Sequence, residues 1–140
     1  MNLNIPPTGL TSDYAQTPDT MFTTDLVFDY PRPPLTANQR LHWRRKADLT
    51  RAIRTATALL ARRIPALKDC DVTLTWFVTD HIRRDADNLV PTLKAMCDGL
   101  VDADVAPDDT PELMTKHMPA IVYDPAGVAR MVLTVTGVAA

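Results

Sequence analysis

The sequence predicts an α/β (α+β) fold: a mixed four-stranded sheet with helices packed on it, in the order β-α-β-α-β-β. Three observations carry this. Stretches of two-residue hydrophobic alternation trade places with longer stretches of three- and four-residue spacing. Turn-rich segments of Pro, Asp and Asn separate them. No internal repeat is present, and 140 residues at 46% apolar and 23% charged suffice for one core in one domain.

Residues 1–20 (MNLNIPPTGLTSDYAQTPDT) are polar and rich in Pro and Thr, and read as a flexible N-terminal arm. They lack the basic start and apolar centre of a signal peptide, and Met21 is an alternative start for a domain over 21–140. Residues 22–29 (FTTDLVFD) predict the first strand, closed by YPRPPLTAN, where Pro31, Pro33 and Pro34 stop any helix. The spacing predicts a helix over 38–63, with Leu41, Ala52, Ile53, Ala56, Leu59 and Leu60 on its apolar side. Pro65 ends it. Residues 71–79 (DVTLTWFVT) give the clearest strand, with Val72, Leu74, Trp76 and Val78 alternating against Thr73, Thr75 and Phe77. A second helix is predicted over 89–103, with Leu89, Leu93, Met96, Cys97 and Leu100 on one face and Pro91 in its first turn. Residues 104–112 form a loop, and two strands follow, over 116–123 and 129–137, turning at DPAG.

The net charge is −2, but it is unevenly spread. Residues 32–84 carry 12 basic residues against four acidic ones, a net of +8. Residues 85–124 carry nine acids against Lys94 and Lys116, a net of −7. Such asymmetry points to nucleic acid or another polyanion. No apolar run approaches the roughly 20 residues of a membrane span. Cys70 and Cys97 have no metal spacing and read as unpaired buried thiols of a reducing cytoplasm. Zinc spacings, GxSxG, a P-loop and GxGxxG are all absent, and four glycines are too few for a glycine-rich phosphate cradle.

The border between the two charge blocks falls inside RRDADN, residues 83–88. Asp85 and Asp87 would face the same side if the backbone there is extended. Asp108 and Asp109 follow in the loop after the second helix. Three carboxylates meeting there would select Mg²⁺ or Mn²⁺. The alternative is that DADN caps a helix and APDD makes a turn, since Asp and Asn favour both roles. Lys94, two helical turns past Asp87, stands where it can hold a phosphate oxygen or be a lone solvated lysine. Arg44, Arg45, Lys46, Arg51 and Arg54 track phosphates or form a solvated helix face. The preceding segment supplies Asn38 and Arg40 as donors and Trp43 as an aromatic able to stack on a base. His42 has no paired ligand and is not read as a metal ligand.

The run RRDADNLVPTLKAMCDGLVDADVAPDD resembles the RusA family of Holliday junction resolvases of bacteria and their phages. That family carries R-x-D-x-D-N, a lysine on the next helix, D-[AG]-L, and a D-D pair after an A-G-hydrophobic turn. The upstream PPLTAN…HW is similar to its P-P-x-x-N loop, and the match covers about residues 22–137. The resemblance implies a homodimeric α/β endonuclease that uses Mg²⁺, with Mn²⁺ as a possible substitute. It acts on branched DNA in recombination and repair, in the cytoplasm of the bacterium or phage host. Its essential acids fall on Asp85, Asp87 and Asp109, its lysine on Lys94, and its basic contact on Arg83 or Arg84. Asn38, Arg40, Arg44 and Arg45 join the expected DNA contacts. Two positions depart from the pattern. Lys94 lies seven residues past Asp87 where the family has four, and Asp104 stands where the family's turn has glycine. Three other readings remain: a DNA-binding relative without nuclease activity, a nuclease for flaps or forks, and a plain interaction domain.

Overall fold

The computed structural model describes residues 21–140, so the expected arm over 1–20 lies outside the described residues. The order is β1 (Met21–Phe28), α1 (Trp43–Ala61), β2 (Leu67–Val78), a 3-10 turn (Ala86–Leu89), α2 (Val90–Asp102), β3 (Met114–Lys116), β4 (Ala120–Tyr123) and β5 (Arg130–Ala139). The sheet runs β1-β5-β2-β3, with β4 also on β2. The β1–β5 and β2–β5 pairs are antiparallel, and β3 and β4 lie parallel to β2. The mixed sheet with helices packed on it is therefore present, with five strands rather than four.

The fifth strand comes from a break. β3 lies beside Cys70, Asp71 and Val72, and β4 lies beside Thr75 to Val78, on the same edge of β2. The single strand predicted over 116–123 is split between them at residues 117–119. Pro119 has no N–H to give to the ladder there. His117 N still donates to Val72 O at 3.0 Å. β2 also begins earlier than its alternation suggests, with an irregularity between Leu67 and Asp69.

The alternation in β2 holds. Val72, Leu74, Trp76 and Val78 are buried, while Thr73, Thr75 and Phe77 are half-buried. The buried set meets Met131, Leu133 and Val135 across the β2–β5 ladder. Ile53 and Ala61 of α1 and Leu93, Met96, Cys97 and Leu100 of α2 complete this core. Burial pushes the Cys97 thiol up to about 12 and the Cys70 thiol to about 11, so both stay protonated, and neither is in a disulfide.

The apolar side predicted for α1 is corrected. Leu41, Leu59 and Leu60 are exposed, and the fully buried positions are Ile53, Thr57 and Ala61, four apart. Close approach to α2 selects that stripe. A Cβ on Gly99 would come within 2.7 Å of both Arg54 O and Thr57 Cβ, so glycine is what lets the two helices touch. Thr57 Oγ1 donates to Ile53 O at 2.8 Å, which satisfies its buried hydroxyl. α1 also starts later than predicted. His42 Nδ1 accepts from Arg44 N at 3.2 Å and caps the helix at Trp43.

α2 ends on a residue in the left-handed region. Asp104 has φ of 60°, the left-handed region that glycine occupies at no steric cost. Asp104 N donates to Val101 O at 3.0 Å and Val105 N to Leu100 O at 3.0 Å. This pair of bonds closes a Schellman turn, with Val105 and Leu100 both buried beneath it. Among the described residues, no helix is long and apolar enough to cross a membrane.

Candidate functional site

The β2–α2–β3 crossover sets the positions of the predicted residues. α2 runs back along the sheet from the C-terminal end of β2, and the loop after it turns towards the helix again. That loop brings Asp109 to Lys94, whose Nζ donates to Asp109 Oδ2 at 2.6 Å. The same ammonium donates to Asp98 Oδ1 at 2.8 Å, one turn along α2. Lys116, at the end of β3, donates to the same Asp109 Oδ2 at 3.1 Å. Two lysines and two aspartates thus form one ion-paired chain, Asp98–Lys94–Asp109–Lys116. Asp108 Oδ1 accepts from Asp109 N at 2.8 Å and fixes the turn that presents Asp109.

The electrostatics follow from those contacts. The Lys94 ammonium first, then Lys116, hold the Asp109 carboxyl down to about 2, so it is ionised across the ordinary pH range. Asp109 and Asp98 in turn hold Lys94 well above the usual lysine range. Lys94 is therefore a permanent cation, suited to holding an anion and unsuited to taking up a proton.

RRDADN forms a second centre. The backbone is extended at Asp85 (φ −107°, ψ 127°), but Asp87 lies inside the 3-10 turn. The shared face expected for the two carboxylates rested on extended backbone through both, and it holds at Asp85 alone. Asn38, Arg83, Arg84, Asp85 and Asn88 line one cleft of about 290 Å³. Two segments that are far apart in sequence thereby share one wall. Ala37 N donates to Asn88 O at 3.3 Å, and Thr92 Oγ1 both donates to Leu35 O at 2.6 Å and accepts from Leu35 N at 3.2 Å. The loop over 31–38 is thus pinned to the start of α2.

The two arginines separate in role. Arg84 lies over the Trp76 ring at 4.9 Å and pairs with Asp80 at 2.6 Å, with its side chain 18% exposed. Trp76 Nε1 donates to Pro31 O at 3.1 Å, so Arg84 and Trp76 together brace the proline loop. Arg83 is exposed and has no ion-pair partner among the described residues. Arg44 stacks on Trp43 at 5.2 Å, Arg40 lines a small cleft with Lys46 and Pro91, and Arg45 is exposed.

Asp85, Asp87 and Asp109 have the oxygen chemistry of a hard divalent cation. As placed they do not form a ligand set. Among the described residues, no group of three His, Cys, Asp or Glu side chains stands where it could hold a metal ion. Asp109 Oδ2 is already shared by two ammonium groups.

Asp98 falls in the D-[AG]-L stretch but was not expected as a site residue, and Lys116 belonged to no motif. Asp98 was legible as the i+4 partner of Lys94. Lys116 was not, because its place depends on the register of β3 on β2.

No known protein-family profile matches the chain. A relative from Xylella fastidiosa (strain Temecula1 / ATCC 700964), described as an uncharacterized protein, is 26% identical over 120 residues, covering 81% of this chain and 76% of its own. Among solved structures, a chain of the HypE-HypF complex aligns over 85% of this chain at 12% identity and a TM-score of 0.37. This chain spans 33% of that one, and so low a score carries no argument about function.

Proposed function

We propose that this chain is a Mg²⁺-dependent endodeoxyribonuclease of the RusA type that cuts branched DNA, with the four-way junction as its substrate. The supporting observation is the Lys94–Asp98–Asp109 cluster. Its members come from three separate pieces of the motif: the helix lysine, the D-[AG]-L stretch and the D-D pair. They meet at 2.6 and 2.8 Å around one ammonium. The shared cleft of the P-P-x-x-N-like loop and RRDADN supports the same reading.

In this reading Arg83 binds a DNA phosphate at the exposed rim, and Lys94 donates to a phosphoryl oxygen as charge builds on it. Asn38, Arg40, Arg44 and Arg45 extend the phosphate contacts. On the resemblance Asp85, Asp87 and Asp109 would hold Mg²⁺ or Mn²⁺, which would supply Lewis acidity and an activated water when bound. A symmetric homodimer would set two such sites on a two-fold junction and give paired nicks. The cytoplasm of a bacterium, or of a phage's host, is the compartment that fits this activity.

The separation of the three carboxylates favours one competing reading, a junction-binding protein that does not cut. Asp87→Asn decides between them. It should abolish Mg²⁺-dependent cleavage of a synthetic four-way junction and leave folding and junction binding intact. Cleavage retained in that variant would defeat the proposed mechanism, and junction binding without cleavage in the parent chain would favour the competing one. Cleavage of forks or flaps in preference to junctions would move the substrate, not the chemistry.

A further inference from the structure

We infer that the outer face of α1 is a binding groove for single-stranded DNA, with Trp43 as its stacking platform. It is distinct from the Lys94–Asp109 cluster and extends the proposed substrate to an unpaired strand beside the cut. A groove of about 570 Å³ runs along α1, lined by Trp43, Lys46, Thr50, Arg51 and Arg54, with Asp102 at its edge.

Three features identify the ligand. Trp43 is 68% exposed, which leaves a large aromatic surface in water at the mouth of the groove. Cations flank it: Arg44 lies 5.2 Å from its ring centroid, and Lys46 lines the groove beyond. Between residues 44 and 54 the helix carries Arg44, Arg45, Lys46, Arg51 and Arg54 against Asp48 alone, a net of +4. Two of the three cations lining the groove are ion-paired, which leaves Lys46 as its open positive charge. Arg54 is bound bidentately to Asp102 at 2.7 and 2.9 Å and Arg51 to Asp48 at 3.0 Å, but Lys46 has no carboxylate partner among the described residues.

A groove with an unpaired lysine, headed by a largely exposed indole that stacks on His42 at 5.7 Å and lies under Arg44 at 5.2 Å, matches a polyanion whose flat rings take the place of one of those neighbours. From Trp43 to Arg54 the helix rises about 16 Å, room for four or five stacked nucleotides at roughly 3.4 Å each. A base inside a duplex is already stacked on both sides and offers no face to the indole. An unpaired base does. Thr50, small and polar between Trp43 and Arg54, leaves the floor open along that path.

The test is binding of 5′-fluorescein-labelled d(T)8 in EDTA, read by fluorescence anisotropy, so that variants without Trp43 are measured in the same way. Tryptophan emission gives a second readout in the parent chain; because Trp76 lines the RRDADN cleft, an emission change is assigned to Trp43 only where Trp43→Phe abolishes it. d(T)8 should quench the emission and bind more tightly than a blunt hairpin duplex or an octaglutamate peptide in the same salt. Trp43→Ala should weaken d(T)8 about tenfold or more, the range for one base–aromatic stack. Trp43→Phe should recover much of that loss, and circular dichroism should be unchanged in both. Lys46→Ala should lower the salt dependence by about one phosphate. Equal affinity for duplex or peptide, or an unchanged d(T)8 affinity in Trp43→Ala, would overturn the inference. Because EDTA removes cleavage from the measurement, a chain that cuts junctions but ignores d(T)8 refutes this groove alone. One that binds d(T)8 but never cuts refutes the nuclease reading alone.

Discussion

Replacing Thr92 with valine removes one hydroxyl from a position with 0% exposure, at the start of the helix that carries Lys94. Valine keeps the shape and the β-branch, so helix propensity and packing barely change. What is lost is the two-way bond to Leu35, 2.6 Å to its carbonyl and 3.2 Å from its N–H. Leu35 is 4% exposed, so neither backbone group has ready access to water. An orphaned buried polar group costs about 1–3 kcal/mol. Two of them set the loss at about 2–6 kcal/mol if the loop over 31–38 stays closed, and less if it opens to water. Opening itself gives up the burial of Leu35, worth about 1.5–3 kcal/mol. Both routes lead to a similar destabilisation, so the urea midpoint should fall by about 1–2 M for a chain of this size. The Leu35 amide should exchange about 30-fold faster or more. Thr92→Ser, which keeps the hydroxyl, should restore most of both. An unchanged midpoint with unchanged Leu35 exchange would show that the hydroxyl does not hold the loop, and the shared wall of the RRDADN cleft would lose its anchor.

Asp104→Gly should stabilise the fold by about 0.5–1 kcal/mol, because glycine adopts a φ of 60° without the strain that a Cβ brings. The melting temperature should rise by a few degrees, and a fall would mean that the Asp104 side chain does something the turn does not explain. The Asp109 carboxyl, held near 2 against an ordinary value of 3.8, contributes stability that is full above about pH 4 and lost as pH falls towards 2. Lys94→Met removes its strongest partner, so the Asp109 carboxyl, followed by NMR, should titrate nearer the ordinary value. A midpoint still near 2 would assign the depression to another group. Arg83→Ala should weaken junction binding and leave thermal stability within about 0.5 kcal/mol, since Arg83 is exposed and without an ion-pair partner among the described residues. Arg84→Ala should do the reverse, lowering stability through the lost contacts to Trp76 and Asp80, and the opposite pattern would exchange the two roles.

Much of the fold was readable locally. The alternation through β2 and the apolar face of α2 need only their own residues, and both hold in the structure. The left-handed turn at Asp104 lay at the one position set apart because a glycine was expected there, though its backbone conformation was not itself predicted. Other features depended on partners distant in sequence. α1 has more apolar residues than one stripe can bury, and Gly99 on another helix decides that Thr57, not Leu60, faces inward. The split of β3 from β4 reflects where Pro119 meets the ladder. In the site, Lys94 and Asp109 were legible, and Asp98 lay within reach of simple helix spacing. Lys116 needed the β3 register, and the division of labour between Arg83 and Arg84 needed the Trp76 ring. The extended backbone on which a common face for Asp85 and Asp87 was argued ends where a 3-10 turn begins between them.

The most direct test of the nuclease proposal is cleavage of a synthetic four-way junction by the purified chain, with Mg²⁺ and with EDTA, beside Lys94→Ala and Asp109→Asn. The account predicts symmetric paired nicks with Mg²⁺, none in EDTA, and loss of nicking by orders of magnitude in both variants while the junction is still bound. Absence of Mg²⁺-dependent nicks, or nicks undiminished in both variants, would contradict it.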